Sequence, residues 1–205
     1  MTENNTPQLL FQQLANGDQR SLEMLYKMYY SRLTGFVTGF VKNKESAEEV
    51  VSDVFVSIWQ QREKLPSIEH PSTYLFTCAR NAALNYIRKF GNSRVVFMED
   101  SGCAVLTENT DPSKELEKKE LMIKMDRAIE SLPLQCKTIF RLVKEQGFKC
   151  REVAEIMNLS TRTVETQVYK AVKKLDEVLS ERHTSSNKPS NKGSFFSLLF
   201  FFSFF

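Results

Sequence analysis

Hydrophobic residues recur every three or four positions along most of this chain, which is the spacing that one face of an α-helix requires. The pattern predicts eight helices. They span about residues 8–15, 19–41, 44–60, 71–90, 112–131, 134–145, 150–157 and 161–180. Asp18 and Asn43 stand where helix-capping residues are needed, and Pro71 stands where a helix can begin. No segment shows a persuasive alternation of period two, so the sequence predicts an all-α protein.

The polar and acidic residues between 92 and 112 interrupt the helical pattern and divide the chain. We interpret this stretch as a flexible acidic linker between two helical domains, residues 8–91 and 113–182. Residues 183–205 follow as a polar and then Phe-rich tail, and 7 of the 16 phenylalanines lie in its last 11 positions. This Phe-rich run is too short to span a bilayer, because a spanning helix needs about 20 residues.

Composition and charge exclude several classes of function. The 205 residues carry a net charge of +3, which is too small to indicate a strongly basic nucleic-acid binder. Seven glycines and six prolines are few for a Gly-rich nucleotide-binding fold. The two histidines, His70 and His183, and the four cysteines show no metal-ligand spacing, so we predict no catalytic residues, no metal site and no cofactor. We expect reduced thiols and, with no visible signal peptide, a cytoplasmic protein.

The segment from Phe148 to Leu175 has the pattern of a helix–turn–helix motif. Its first helix is short and apolar on one face, Asn158-Leu159-Ser160 predicts a tight turn, and Ser160 can cap the second helix. On the second helix, side chains that can form hydrogen bonds face outward. These are Arg162, Glu165, Thr166, Tyr169 and Lys170. Such a surface is typical of a helix that reads duplex DNA, although a plain helical hairpin with a solvated face has the same periodicity.

The helix predicted at 44–60 has apolar side chains on both faces. One face gathers the predicted core residues Ala47, Val50, Val51, Val54 and Ile58, with Phe55 at the edge. The opposite face gathers Glu49, Ser52, Asp53, Val56, Trp59 and Gln60. A solvated face would not need Val56 and the only tryptophan of the chain beside Asp53, so this face indicates a protein-binding surface. The alternative is that Trp59 packs on the adjacent loop.

The helix predicted at 71–90 carries a polar strip beside its core face. The core face is predicted to hold Leu75, Cys78, Ala79, Ala82 and Tyr86. The strip consists of Tyr74, Asn81, Asn85 and Arg88. An aromatic ring, two amides and a guanidinium along one line can stack on unpaired bases and form hydrogen bonds with them. The preceding loop, residues 65–70, is placed to shape a pocket beside the strip. A merely solvated face is the alternative.

Three segments together closely resemble bacterial RNA polymerase sigma factors of the sigma-70 family, in particular the short extracytoplasmic-function (ECF) group. They are SAEEVVSDVFVSIW (46–59), TYLFTCARNAALNYIRK (73–89) and residues 148–175. The resemblance covers about residues 8–91 and 113–180. It implies two helical domains, the sigma region two bundle and the sigma region four helix–turn–helix, joined by a flexible linker.

The resemblance implies a partner for each candidate surface. The outward face of 44–60 is similar to the family's docking surface for the beta-prime clamp coiled coil of core RNA polymerase, and the beta flap is a further implied partner. The strip on 71–90 is similar to the family's segment that reads the minus-ten promoter element. The loop at 65–70 is similar to a family segment that holds a flipped-out base. For the minus-thirty-five element the implied contacts are Arg162, Thr163, Glu165, Thr166, Tyr169 and Lys170. Many family members have Arg and a small polar residue where this chain has Glu165 and Thr166, so we expect a different upstream element.

The resemblance therefore implies a non-enzymatic ECF-type sigma factor that binds core RNA polymerase and directs promoter-specific DNA binding, melting and transcription initiation. It implies no small-molecule substrate, and the family allows an anti-sigma factor as a further partner. A free-standing helix–turn–helix regulator without polymerase binding is the alternative, and a tail-anchored helical adaptor is a third hypothesis. The apolar outward face of 44–60 favours the sigma factor over the regulator. We expect the tail at 183–205 to be dispensable for promoter recognition.

Overall fold

The computed structural model describes residues 6–90 and 123–180, and every regular element within them is helical. The elements are α1 (Thr6–Ala15), α2 (Gln19–Val41), α3 (Lys44–Gln60), a 3-10 helix (Arg62–Ser67), α4 (Pro71–Phe90), α5 (123–130), α6 (Leu134–Lys144), α7 (Cys150–Met157) and α8 (Thr161–Ser180). The all-α prediction is confirmed for this part of the chain. The predicted linker at 92–112, the tail at 183–205 and the first part of the helix predicted at 112–131 lie outside the described residues.

Helix boundaries follow the capping chemistry of the sequence. The Asp18 carboxylate accepts a hydrogen bond of 3.2 Å from the backbone N–H of Arg20, and the Asn43 amide oxygen accepts one of 2.8 Å from that of Ser46. Between α2 and α3 the backbone turns at Lys42, whose φ of 59° lies in the left-handed region. The α2, α3 and α4 boundaries agree with the prediction. α1 begins two residues earlier and α6 ends one residue earlier than the pattern indicates.

Helices α1–α4 pack around one apolar core, in which α2 contacts each of the other three. The residues that α2 buries are Ser21, Leu25, Tyr29, Leu33, Thr34 and Val37. The hydroxyl of Tyr29 forms a hydrogen bond of 2.6 Å with that of Ser72 at the start of α4. This bond satisfies the one polar atom of a tyrosine side chain that is otherwise packed in the core.

The core face of α4 is rotated relative to the sequence prediction. Leu75 and Ala79 are buried as predicted, but Phe76 and Ala83 are buried as well. The predicted core residues Cys78, Ala82 and Tyr86 are only half-buried. The physical reason is a ring contact with α2, because the Phe76 and Phe36 ring centres lie 5.2 Å apart. A large ring at this contact directs the face of α4 around Phe76 toward the core.

The second part of the described chain has its own core. α5, α6 and α8 contribute to it, and its members are Ala128, Ile129, Leu132, Cys136, Phe140, Ala171 and Leu175, with Val172 packed against them. α7 buries Val153, Ala154, Ile156 and Met157, in agreement with the apolar face predicted for the first helix of the motif. By their contacts the described residues form two compact units: α1–α4 with Arg151–Leu159 in the first, and α5, α6 and α8 in the second.

A charged network joins α5 to α6 in the second unit. The Glu130 carboxylate accepts hydrogen bonds of 2.9 Å from Lys137 Nζ and 2.6 Å from Arg141 Nη2. Burial alone would raise the pKa of Glu130, but the Lys137 hydrogen bond and the Arg141 charge outweigh it. The pKa therefore lies below its ordinary value. Because only 9% of Lys137 is exposed, this ion pair is largely removed from water and holds the two helices together.

Candidate protein and nucleic-acid interfaces

α3 separates its two faces as the sequence predicts. The core face is buried throughout and consists of Ala47, Val50, Val51, Val54, Phe55 and Ile58. On the opposite face Glu49, Asp53 and Gln60 are exposed, and Val56 keeps 55% of its surface exposed. An exposed valine among carboxylates matches a partner that supplies both an apolar contact and positive charge.

Trp59 is half-buried, and Arg62 of the 3-10 helix covers part of its ring. The guanidinium carbon of Arg62 lies 4.9 Å from the ring centre, and Arg62 Nη1 donates a hydrogen bond of 3.1 Å to the Trp59 carbonyl. This cation–π contact corresponds to the alternative in which Trp59 packs on the adjacent loop. The sequence reasoning missed Arg62, although a basic residue three positions after a tryptophan is the signal that points to it.

The polar strip on α4 is only partly open. Asn81, Asn85 and Arg88 are exposed, whereas Tyr74 is half-buried. The Tyr74 ring and the Phe11 ring of α1 form a T-shaped pair, with ring centres 6.2 Å apart. Burial, with a smaller effect of the neighbouring Cys78 thiol, raises the pKa of Tyr74 to about 12. Tyr74 is therefore a neutral ring that is packed on one side, and its predicted contact with unpaired bases stays a prediction.

Neighbouring arginines engage the amide oxygens of both asparagines on this strip. Arg80 Nη1 donates a hydrogen bond of 3.2 Å to Asn81 Oδ1, and Arg88 Nη2 donates one of 2.5 Å to Asn85 Oδ1. In this arrangement each amide keeps its two N–H donors for another partner. Donors of this kind match base edges that present a carbonyl oxygen or a ring nitrogen. Arg80 is a second residue that the sequence reasoning missed.

The loop at 65–70 is held in place from α1. Leu65 is fully buried, and the Leu65 carbonyl accepts a hydrogen bond of 3.0 Å from the backbone N–H of Ile68. The carbonyl of Ile68 accepts a hydrogen bond of 2.9 Å from Gln8 Nε2, 60 residues earlier in the chain. Glu69 and His70, which follow, are exposed. The loop thus has a fixed backbone and exposed side chains next to the start of α4.

The turn between α7 and α8 has the local conformation that its sequence predicts. Asn158 has a φ of 53°, in the left-handed region, and Ser160 Oγ accepts a hydrogen bond of 3.0 Å from the Thr163 backbone N–H. The Thr163 hydroxyl lies 2.7 Å from Ser160 Oγ. Thr163 therefore takes part in the N-cap of α8, and its predicted contact with DNA stays a prediction.

The outward side of α8 gathers most of the predicted duplex-reading residues. Arg162, Glu165, Thr166 and Tyr169 line one open depression, and the adjacent Lys170 is exposed. The Thr166 hydroxyl donates a hydrogen bond of 2.8 Å to the Arg162 carbonyl, which leaves its oxygen as an acceptor. Together with the Glu165 carboxylate, this surface presents acceptors that match the amino groups of cytosine or adenine.

The all-α fold and the capped turn before α8 are typical of a helical DNA-binding protein. Residues 25–93 match the family model for Sigma-70 region 2, and residues 122–175 match the model for Sigma-70, region 4. Since the two matches together cover more than half of the chain, it belongs to the sigma-70 family of sigma factors. The predicted membership of the ECF group is confirmed by the relatives it matches.

The chain is 27% identical over 184 residues to the ECF RNA polymerase sigma-E factor of Escherichia coli (strain K12), covering 86% of this chain and 95% of the relative. It is 26% identical over 178 residues to the protein of the same name from Haemophilus influenzae, covering 83% and 94%. Against the RNA polymerase sigma-H factor of Pseudomonas aeruginosa the identity is 22% over 179 residues, covering 84% and 93%.

Two solved structures share the fold. The structure of CnrH in complex with the cytosolic domain of CnrY matches with a TM-score of 0.54 and 20% identity, covering 86% of this chain and 98% of that one. The sigma factor RpoE from Bartonella quintana, in complex with the anti-sigma factor NepR, matches with a TM-score of 0.55 and 21% identity, covering 77% and 96%. Within the residues that the structure describes, no helix is long and apolar enough to cross a membrane.

Proposed function

We propose that this ECF-type sigma factor docks on core RNA polymerase through the outward face of α3 and reads promoter DNA with α4 and α8. One observation carries the proposal. Asp53 and Val56 stay exposed on a helix whose core positions are all buried. A free-standing helix–turn–helix regulator has no need of this second, partly apolar face. The protein acts in the cytoplasm, where RNA polymerase works, and contributes binding rather than catalysis.

The two DNA-reading surfaces do not need high affinity of their own. The net charge of +3 is modest, so phosphate contacts alone provide little binding at physiological salt. Docking on the polymerase brings α4 and α8 to the same promoter, which makes the second contact effectively intramolecular. Melting without ATP follows from the same logic, because binding energy offsets an unstacking cost of a few kcal/mol per step.

α4 contacts the melted minus-ten strand in this proposal. The amide N–H donors of Asn81 and Asn85 meet acceptor edges of unpaired bases, while Arg88 adds positive charge beside the strand. The loop at 65–70 holds a flipped-out base next to the start of the helix. Tyr74 supports the strip from its base through its contact with Phe11.

α8 reads the minus-thirty-five element as duplex DNA. Lys170 and Arg162 contact phosphates or mixed sites, and Tyr169, with 68% of its surface exposed, reaches the DNA from the same side. Glu165 accepts a hydrogen bond from a cytosine or adenine amino group. CnrH and RpoE are each bound to a second protein in their structures, so the proposal includes an anti-sigma factor as a further partner.

Run-off transcription with purified protein, matching core polymerase and DNA from upstream of its own gene tests the proposal. We expect a start site that requires both proteins and disappears with Asp53→Arg, or with Asn81→Ala plus Asn85→Ala. Tyr169→Ala with Lys170→Ala should weaken binding to the upstream element. If the protein binds no core polymerase, the sigma assignment of these surfaces is wrong and the free-standing regulator takes its place.

A further inference from the structure

α1 lies before residue 25, where the match to Sigma-70 region 2 begins, and none of the residues proposed to contact polymerase or DNA lies on it. α1 nevertheless packs closely against the 3-10 helix that leads into the loop at 65–70. The contact is specific, because the Gln8 side-chain amide donates to the Ile68 carbonyl in the middle of that loop.

We propose that α1 is a clamp for the base-holding loop and that Gln8 is its positioning residue. The inference rests on the proposed role of the loop in holding a flipped-out base. Gln8 fixes the Ile68 carbonyl, which directly precedes the exposed Glu69 and His70, while the chain on either side is anchored separately. Before this carbonyl, the Ile68 N–H donates a hydrogen bond to the Leu65 carbonyl. After it, the His70 carbonyl accepts a hydrogen bond of 3.0 Å from the Tyr74 N–H.

A second contact from α1 supports the same side of the site. Phe11, which is fully buried, meets the ring of Tyr74 edge-on at the first turn of α4. Gln8 and Phe11 are three residues apart and therefore lie on one face of α1. This face touches both the loop and the helix that contribute to the predicted pocket, so α1 sets the distance between them.

We expect the clamp to strengthen binding of the flipped-out base by holding the loop backbone in its binding conformation beforehand. A loop whose backbone is already fixed loses little conformational entropy when a base enters, so binding energy is kept for the base itself. Without the Gln8 hydrogen bond the Ile68 peptide can rotate, and the pocket must be ordered at the moment of binding. The penalty should fall on the flipped-out base alone and leave the other bases and the docking of α3 unchanged.

Holoenzyme binding to a single-stranded minus-ten oligonucleotide, with an abasic site placed at each position in turn, tests this inference. For the unmodified chain we expect one position where the abasic site weakens binding by about tenfold, the effect of losing one stacked base. Gln8→Met keeps the length of the side chain without its amide, and it should reduce that penalty to about two- or threefold at that position only. Gln12→Met, an exposed position on the same helix, is the matched control and should keep the full penalty.

Gln8→Glu is a second variant of the same size, which places an acceptor against the Ile68 carbonyl and should act like Gln8→Met. The Gln8 variants should keep the core-polymerase affinity and the thermal unfolding midpoint of the unmodified chain. Equality of both quantities separates the clamp from a general loss of folding. An unchanged abasic penalty in both Gln8 variants, or equal weakening on every oligonucleotide, overturns the clamp. If the unmodified chain shows no sensitive abasic position while Asn81→Ala still weakens binding, the proposal that the loop at 65–70 holds a base is wrong. The clamp, which depends on that role, is then wrong as well. Loss of all oligonucleotide binding by the unmodified holoenzyme would instead contradict the proposed function of α4.

Discussion

The amide oxygen of Asn85 accepts a hydrogen bond of 2.5 Å from the guanidinium of Arg88, one turn further along α4. Both side chains are exposed on the strip that we assign to the minus-ten element. The bond fixes the orientation of the amide, because the engaged oxygen leaves the two N–H donors for another partner. We therefore expect Arg88 to influence base choice through Asn85 as well as through its own charge.

Arg88→Leu should relax the base preference at the position that Asn85 reads. Without the guanidinium the Asn85 amide can turn either edge to the DNA, and we expect its discrimination to fall by about 1 kcal/mol, or about fivefold. The measurement is holoenzyme binding to minus-ten oligonucleotides that carry each of the four bases at each position.

Lys89→Leu is the matched control, since it removes the same charge from the adjacent exposed position on α4. It should weaken all oligonucleotides equally and leave the preference intact. A uniform effect of Arg88→Leu, indistinguishable from that of Lys89→Leu, would show that Arg88 contributes charge alone.

Asp53→Arg should weaken binding to core RNA polymerase by about 30-fold, or about 2 kcal/mol, because it reverses a charge at the centre of the docking face. Asp53 is exposed, so the free energy of unfolding should change by less than about 0.5 kcal/mol. Binding to fluorescently labelled core polymerase measures the effect. Glu63→Arg makes the same charge change at an exposed position of the 3-10 helix and should bind normally. Equal loss in both variants would point to net charge rather than to this face.

Helix positions were predictable from the sequence because their determinants are local. The caps at Asp18, Asn43 and Ser160 act within three residues of themselves, and the structure shows each of them. The buried and exposed faces of α3 follow from periodicity alone, since six apolar residues fall on one side of the helix. Apart from Trp59, Tyr74 and Thr163, which are half-buried, the residues proposed for docking and reading are exposed where the pattern predicts them.

The supporting contacts were not predictable in the same way, because they depend on tertiary packing. The rotation of the α4 core face depends on Phe36 and Phe76, which are 40 positions apart. The contact between Gln8 and Ile68 spans 60 positions and involves a side-chain amide that no periodic pattern marks. The two arginine–asparagine bonds on α4 are local, and helical spacing could have revealed the one between Asn85 and Arg88.

Glu165 and Lys170 should contribute differently to binding of the upstream element. Glu165→Ala removes an acceptor for a base amino group, so it should relax the preference at one duplex position by about 1–3 kcal/mol. Lys170→Ala should weaken binding to all duplexes equally and reduce the slope of log K against log salt by about 1. Holoenzyme binding to a duplex library at several salt concentrations separates the two. A uniform loss with Glu165→Ala would place this carboxylate away from the bases.

Glu130→Gln should destabilise the second unit at neutral pH, and the stability difference from the unmodified chain should disappear at low pH. The pKa of Glu130 is lower in the folded chain than its ordinary value of 4.5. A carboxyl group whose pKa is lowered by folding stabilises the native state fully above its unfolded value, and this contribution is lost as the pH falls through the folded value. At pH 7 the variant leaves Lys137 without its charged partner, and we expect a cost of about 1–2 kcal/mol.

Urea unfolding followed by far-UV circular dichroism measures this cost, with Trp59 fluorescence as a separate record of the first unit. The difference between Glu130→Gln and the unmodified chain should shrink steadily as the pH falls below 4.5. Glu23→Gln is the control, because the Glu23–Lys27 pair at 2.6 Å has both side chains more than 60% exposed and should contribute less than about 0.5 kcal/mol. A difference that persists unchanged at low pH would mean that Glu130 stabilises the α5–α6 contact through its packing and not through its charge.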